Sequence, residues 1–370
     1  MRNTIQVKTR AWEGDSIESI SFPDGWKVSV LKTAGDRFSP LTKDEIEENV
    51  MKYLKRALAR KTLKDIEKTC ILFDDLTRPT PAKEIIPILL QELRNRGVKK
   101  DCIRFIAALG AHHPMSRRDF ERKLGRDIVT NYPVYNHNIH ENNVYAGRSK
   151  LGIDLYVNKE VMSCGLKIGI GSILPYWWRG TFAGGGKIIL PGVAGQESII
   201  QLHTLIKKAR DTNTTSIQIK DVWEDLHQCV EIVGLNVKFD TVINSDRKII
   251  GLFDGSNRNG YSRGCAFAAE AYHTTVPEKT DVVLINTYPQ ELQIGRSFWG
   301  AHASINNRGT VIIVARHPEG ISHVHYLVSR FGTDFGGVNW NPNFKLRLSG
   351  AKNILFYVNN ATKNDMMDMK

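Results

Sequence analysis

The chain has 370 residues, enough for about two domains at roughly 150 residues each. Apolar residues make up 41% and charged residues 24%, the balance of an ordinary globular protein, which excludes disorder, collagen-like repeats and low-complexity fibres. Basic residues outnumber acidic ones by 51 to 39, a net charge of +12 that points to an anionic partner. The Lys and Arg residues are spread along the chain, and the densest run, from Lys52 to Lys64, reads as the solvated face of a helix. That argues against a nucleic-acid surface, and an anionic small substrate accounts for the excess just as well. No run approaches the roughly 18 uncharged apolar residues of a membrane span, so no membrane partner is expected. The opening MRNTIQVKTRAWEGDS lacks the apolar core of a secretory signal. Cys70, Cys102, Cys164, Cys229 and Cys265 stand singly, without a CxxC, which suggests reduced thiols and a cytoplasmic setting.

Short strands are expected first. The stretch SIESISFPDGWKVSVLKT alternates and carries the turn Pro23-Asp24-Gly25. A helix follows from about Thr42 to Arg60, with Thr42 and Glu45 as a capping box. Then a theme repeats: apolar strand, polar loop, amphipathic helix. The first unit is CILFDD, LTRPTP and AKEIIPILLQELRNRG; the second is CIRFIAALG, AHHP and SRRDFERKLG. The third is GLKIGIGSILP, a glycine-rich loop and a helix from about Val193 to Lys208. This alternation predicts an α/β fold with a mostly parallel sheet and flanking helices. All three loops fall at C-terminal strand ends, where such sheets bind ligands. Residues 209–230 read as polar and irregular, and a strand pair, VKFDTVINS and KIIGLFDG, follows. RGCAFAAEAYHTT reads as a helix connecting two domains, divided near 265–275 into 1–265 and a smaller 266–370. In the second, DVVLINTY opens an α/β region, a helix starts near Leu292, and GTVIIVARH is the next strand.

Several short patterns fail as motifs. Gly180 to Ile188 lacks the glycine that a phosphate loop needs at position 181 and the Ser or Thr after its Lys, having Thr181 and Ile188 instead. Gly169 to Leu174 lacks the third glycine of a dinucleotide fingerprint. Asp334-Phe335-Gly336 has no other kinase element beside it, and His140-Glu141 is not completed as a zinc motif.

Three loops carry chemistry. In Asp74-Asp75-Leu76-Thr77-Arg78-Pro79-Thr80-Pro81, the threonines and prolines suit a helix entry, but that does not require an acid and a guanidinium at a strand end. Arg78 offers a fork for a carboxylate or phosphate, and Asp75 can orient it or accept a hydroxyl proton. In Gly110-Ala111-His112-His113-Pro114, two adjacent imidazoles suit proton transfer near neutral pH, although a histidine near a strand end is more often structural. In Gly184-Gly185-Gly186-Lys187-Ile188-Ile189-Leu190-Pro191-Gly192, the glycines expose backbone N–H groups and Lys187 supplies a charge or a nucleophilic amine. His203 follows on the next helix; the bland alternative is a flexible turn and a surface histidine.

Together these residues resemble the lactate racemase family, which uses a nickel-pincer nucleotide. The resemblance rests on Asp-x-x-Arg-Pro-x-Pro (Asp75 to Pro81), Gly-x-His-x-Pro (Gly110 to Pro114) and Gly-Gly-x-Lys-x-x-Leu-Pro-Gly (Gly185 to Gly192), with His203 sixteen residues after Lys187. Asp281 to Ala301 resembles the family's second domain more weakly. The resemblance implies two α/β domains with the site in the cleft between them. It implies the nucleotide held by a covalent thioamide to Lys187, with Gly184, Gly185, Gly186 and Asp75 around it, and nickel bound by the cofactor's carbon and sulfur and by His203. Soft sulfur ligands plus one imidazole suit such a nickel site. The implied chemistry is racemisation or epimerisation of a 2-hydroxy acid: a C2 hydride moves to the cofactor and returns, with a 2-keto acid between. His112 matches the proton-transfer histidine and Arg78 the substrate-contacting arginine. Proteins that synthesise the cofactor are implied partners.

This sequence also departs from the family. Its second proton-transfer histidine lies in a Glu-Pro-His segment, where this chain has Leu174-Pro175-Tyr176-Trp177-Trp178-Arg179, with one extra residue before Lys187. Tyr176, His113 or another group must then serve. The family's substrate-contacting Gln and Lys become Arg296 and Trp299, so Arg296 could hold a carboxylate in a pocket reshaped by tryptophans. Residues 350–370 are expected to be an altered or incomplete end. The expected function is therefore racemisation of a 2-hydroxy acid other than lactate. The alternative is a non-catalytic protein that binds or senses a hydroxy acid or sugar acid. The sequence leaves the oligomeric state open.

Overall fold

Strand β1 (Asn3–Thr9) pairs antiparallel with β2 (Ser16–Phe22), Asn3 opposite Phe22 and Thr9 opposite Ser16. The computed structural model describes residues 3–59, 63, 66–176, 181–210, 217–275, 279–293, 297–316 and 350–358. The alternation expected to continue beyond Pro23 does not form a strand. Residues 26–33 carry no regular structure, and Trp26, Val30 and Leu31 are exposed. Alternation alone supplies no partner strand, and among the described residues this segment joins none of the sheets. Helix α1 (Lys43–Ala57) starts as expected, with the reciprocal Thr42–Glu45 capping box formed.

The alternating units follow: β3 (Thr69–Phe73), α2 (Ala82–Asn95), β4 (Ile103–Ala107), α3 (Arg117–Leu124) and α4 (Arg126–Asn131). Next come β5 (Val134–Asn136), a hairpin of β6 (Asn143–Arg148) and β7 (Asp154–Asn158), α5 (Lys159–Ser163) and β8 (Leu166–Ser172). Helix α6 (Gln196–Arg210) starts three residues later than expected, because Ala194 is still bridged to Val157. The expectation of irregular chain over 209–230 is corrected by helix α7 (Ile219–Val233). Its buried Val222, Leu226, Cys229, Val230 and Val233 recur at helical spacing behind a polar surface face. The first region ends with β9 (Val237–Ile243), β10 (Ile249–Asp254) and α8 (Arg258–Ala271). Then β11 (Thr280–Asn286), α9 (Ser297–Ser304), β12 (Ile305–Ala315) and β13 (Ala351–Val358) follow.

The main sheet has the order β10-β9-β8-β3-β4-β5, parallel except for β10. Strands β3, β8 and β9 are buried at every position, as a sheet covered on both faces requires. Ile71, Phe73, Phe105 and Ile168 face α1 and α2, while Leu72 and Ile106 face α6 and α7. A second, wholly parallel sheet runs β11-β12-β13. Among the described residues no helix is long and apolar enough to cross a membrane.

Candidate functional site

The first loop leaves β3 at Asp74 and folds around the carboxylate of Asp75. The Thr77 amide donates to Asp75 Oδ1 at 3.1 Å, the Thr77 hydroxyl donates to the same oxygen, and the Arg78 amide donates to the Asp75 carbonyl at 3.1 Å. The other carboxylate oxygen, Oδ2, lies 2.6 Å from His112 Nδ1. Burial pushes the Asp75 carboxyl up, but the His112 imidazole, the Arg78 guanidinium and the Thr77 hydroxyl outweigh it. They hold Asp75 well below the ordinary carboxylate range. An ionised Asp75 makes His112 Nδ1 the donor and leaves the ring's lone pair on Nε2, the arrangement of a general base. Half-buried Arg78 donates from Nη1 to the Thr77 hydroxyl at 2.9 Å, so guanidinium, hydroxyl, carboxylate and imidazole form one chain.

The second loop brings His112 there. The Gly110 amide donates to the Gly192 carbonyl at 2.8 Å, tying this loop to the third. His113 is exposed, with Nδ1 2.7 Å from the Pro114 carbonyl, so the two histidines face different surroundings.

The third loop turns through a 3-10 segment, Gly185–Ile188. Gly185 has φ +51°, and a Cβ there would come within 2.8 Å of the Tyr261 ring. A Cβ on Gly186 would sit 2.4 Å from the Leu226 carbonyl oxygen of α7. Only glycine lets the loop lie this close to α7 and α8. Half-buried Lys187 places Nζ 4.1 Å from the centroid of the Tyr176 ring and 5.3 Å from that of Trp223. Tyr176 is positioned by its amide, which donates to the Thr181 carbonyl at 2.8 Å, and Trp223 by its indole, which donates to the Phe182 carbonyl at 2.8 Å. His203, on α6, has Nδ1 2.8 Å from the Ile199 carbonyl, which makes Nδ1 the donor and puts the lone pair on Nε2.

Below these loops lie charges that the sequence reading did not single out. Lys238 and Asp240 form an ion pair with both side chains almost fully buried. Asp240 Oδ2 also accepts the Gly185 amide at 2.8 Å, so this pair carries the glycine loop. Lys123, wholly buried, donates to the carbonyls of Asp75 at 3.1 Å and Arg78 at 2.7 Å, and pairs with Asp74 Oδ1 at 2.6 Å. Hydroxyls join the strand ends: Thr80 to Ser172 at 2.7 Å, and Ser172 to Thr241 at 2.7 Å. His137 Nε2 donates to the Ala194 carbonyl at 2.9 Å, just before α6, and burial lowers its pKa to about 4. A signal existed for each ion. Lys238 and Asp240 stand two apart in an apolar strand and so share a face. Lys123 stands three after Phe120 and next to Leu124, on the inner face of α3.

The structure thus joins Asp75, Arg78 and His112, and separately Lys187 with Tyr176. His113 belongs to neither group. Trp177, Trp178, Arg179, Arg296 and the side chain of Trp299 lie outside the described residues.

Comparison with known proteins shows what the chain is similar to. The profile of the lactate racemase N-terminal domain matches residues 14–215. A lactate racemase of Lactiplantibacillus plantarum is 30% identical over 289 residues, 74% of this chain and 67% of that protein. A lactate racemase of Thermoanaerobacterium thermosaccharolyticum is 27% identical over 320 residues, 83% of this chain and 74% of that protein. The fold is shared with the lactate racemase apoprotein structure from T. thermosaccharolyticum, at a TM-score of 0.70 and 21% identity, covering 99% of this chain and 91% of that one. A Thermotoga maritima protein matches at a TM-score of 0.63 and 17% identity, over 90% of this chain and 91% of that one. With more than half its length matched by that profile and its loops meeting at the strand ends, the chain belongs to the lactate racemase family.

Proposed function

We propose that this protein is a nickel-pincer-dependent racemase or epimerase of a 2-hydroxy acid other than lactate. The observation that carries this reading is the Asp75–His112 pair, 2.6 Å apart, on a loop hydrogen-bonded to the one that presents Lys187. The residues present fit the cofactor. Lys187 follows glycines whose close packing leaves no room for a Cβ, and His203 has its Nδ1 engaged by a backbone carbonyl, so that Nε2 is the nitrogen able to ligate. Among the described residues no cluster of three or more His, Cys, Asp or Glu forms a metal cage, so His203 would be one donor and the nucleotide would bring the others. When bound, the cofactor supplies a place for the C2 hydride to go and return from. The protein's own groups do the rest. Arg78 binds the substrate carboxylate, and His112 takes the hydroxyl proton at Nε2. Asp75 stabilises the imidazolium that results. Tyr176, in place of the family's second histidine, is the acid/base group on the other face of C2. The C-terminal part of the chain is the smaller domain that closes the cleft, with Arg296 and Trp299 as its substrate contacts. Cofactor-synthesis proteins are the required partners.

The test is intact-mass and metal analysis of protein made together with the cofactor-synthesis machinery, followed by incubation with single enantiomers of aliphatic, aromatic and sugar 2-hydroxy acids. The expected result is a cofactor-sized adduct with near-stoichiometric nickel, absent in Lys187→Ala, and stereochemical exchange of one substrate class. An unmodified, nickel-free chain beside a loaded lactate racemase control would refute it. The replaced histidine also supports a second reading, a protein that binds a hydroxy acid or sugar acid without turnover. That reading predicts ligand stabilisation unchanged in Lys187→Ala.

A further inference from the structure

The tip of the β1–β2 hairpin, residues 10–15, touches both the first site loop and the segment following β11. On one side, Glu291, which is buried, accepts the Arg10 amide at 2.7 Å and the Ala11 amide at 2.8 Å. Asn286, at the end of β11, donates to the Lys8 carbonyl at 2.8 Å. Arg247 clamps the tip from the main sheet, donating to the Ala11 carbonyl and to both Asp15 oxygens at 2.8 and 3.0 Å. On the other side, the Trp12 indole donates to the Leu76 carbonyl at 2.8 Å, between Asp75 and Thr77. The Lys123 ammonium lies 5.2 Å from the centroid of the Trp12 ring, and the same ammonium holds the Asp75 and Arg78 carbonyls.

We infer that Trp12 is a positioning residue for the Asp75–Arg78 loop, and that Glu291 fixes Trp12, so that the hairpin tip couples residues 286–291 to the His112 site. The physical case is one of orphaned groups. The Leu76 carbonyl lies in a buried loop, and a buried acceptor without a partner is costly. Lys123 is buried and needs its carbonyls, its carboxylate and the ring face above it to compensate its charge. Removing Trp12 disturbs both at once, on the segment that bears Asp75. The coupling takes place at Glu291, on the stretch that joins β11 to α9. The catalytic consequence rests on the function proposed above, whereas the coupling itself does not.

Hydrogen exchange measured on the full-length protein separates the two. Peptides covering 74–80 are followed in the wild type, Trp12→Phe, Trp12→Leu and Glu291→Gln, with peptides covering 69–73 and 103–107 as internal references. Trp12→Phe keeps an aromatic ring beside Lys123 while losing the N–H and the five-membered ring that bears it, so it is the milder variant should Trp12→Leu fail to fold. The expected result is exchange over 74–80 faster by about fivefold in Trp12→Phe, the effect of one lost hydrogen bond on local opening, and faster still in Trp12→Leu. Glu291→Gln speeds the same peptide although it touches none of it. In loaded enzyme, kcat falls in Trp12→Leu with KM little changed, and Trp12→Phe recovers part of it. Faster exchange confined to residues 3–22, with 74–80 unchanged, overturns the inference. Faster exchange over 74–80 in a protein that turns over no hydroxy acid upholds the coupling and refutes the function.

Discussion

His137 makes the stability of this protein dependent on pH in a calculable way. Its ring is buried, donates from Nε2 to the Ala194 carbonyl and lies 3.1 Å, through Nδ1, from the Asn158 amide nitrogen. Both ring nitrogens are used by the neutral form, and burial lowers the pKa from 6.5 to about 4. Above 6.5 neither the folded nor the unfolded chain binds a proton there, and the stability contribution is fully present. As pH falls, the unfolded chain protonates first, and stability is lost until the folded state also protonates near 4. The span is about 2.5 pH units at about 1.4 kcal/mol each, so about 3 kcal/mol is lost in all and about 2 kcal/mol by pH 5. Urea unfolding of the wild type and His137→Gln at pH 7.5, 6.5, 5.5 and 4.5 measures it. His227, also pushed down by burial, acts in the same direction, but it is present in both proteins and cancels in the difference. The variant is less stable at pH 7.5, and the gap closes as pH falls. A constant gap across the four pH values refutes the reasoning.

Asp75→Asn leaves the loop's shape nearly intact but removes the charge that orients His112 and stabilises its protonated form. Turnover should fall by about 10²–10⁴-fold with a smaller change in KM, and a near-normal rate in steady-state assays would show that another group moves the proton. Asp240→Ala strips the partner from Lys238, which is buried, and should cost about 3–5 kcal/mol in urea unfolding. Adding Lys238→Met removes the unpaired charge and should restore most of that loss. A double variant as unstable as the single one would mean that Asp240 acts mainly through the Gly185 amide.

Local rules read the frame of this fold well because each element depends on neighbours in sequence. The Thr42 capping box needs only four residues, the strand CILF declares itself by an unbroken apolar run, and GLKIGIGS by one interrupted at Lys167. The failures share one cause, a partner distant in the chain. The 26–33 segment alternates like a strand, but among the described residues no strand of any sheet pairs with it. Helix α7 is half polar, and its register became meaningful only once the glycine loop lay against it, with Leu226 beside Gly186. The three site loops were legible because each concentrates its chemistry within five to nine residues.

What holds those loops was not legible, and the reason is physical. A buried charge in a sequence looks like a surface charge until its compensation is known, and apart from the Lys238–Asp240 pair the compensations here are remote. Asp74 pairs with Lys123, Asp240 meets the Gly185 amide from 55 residues away, and Glu291 caps amides 280 and 281 positions earlier. Such pairs stabilise little on balance, because desolvation consumes most of their attraction. Their value lies in direction: an ion held by several fixed partners admits one geometry, whereas an apolar contact tolerates many. Asp75, His112 and Lys187 must each stand in one place to act on a small substrate. Asp74, Lys123, Lys238 and Asp240 accordingly lie beneath the loops and Glu291 at the tip of the N-terminal hairpin, while the apolar core occupies the two faces of the sheet.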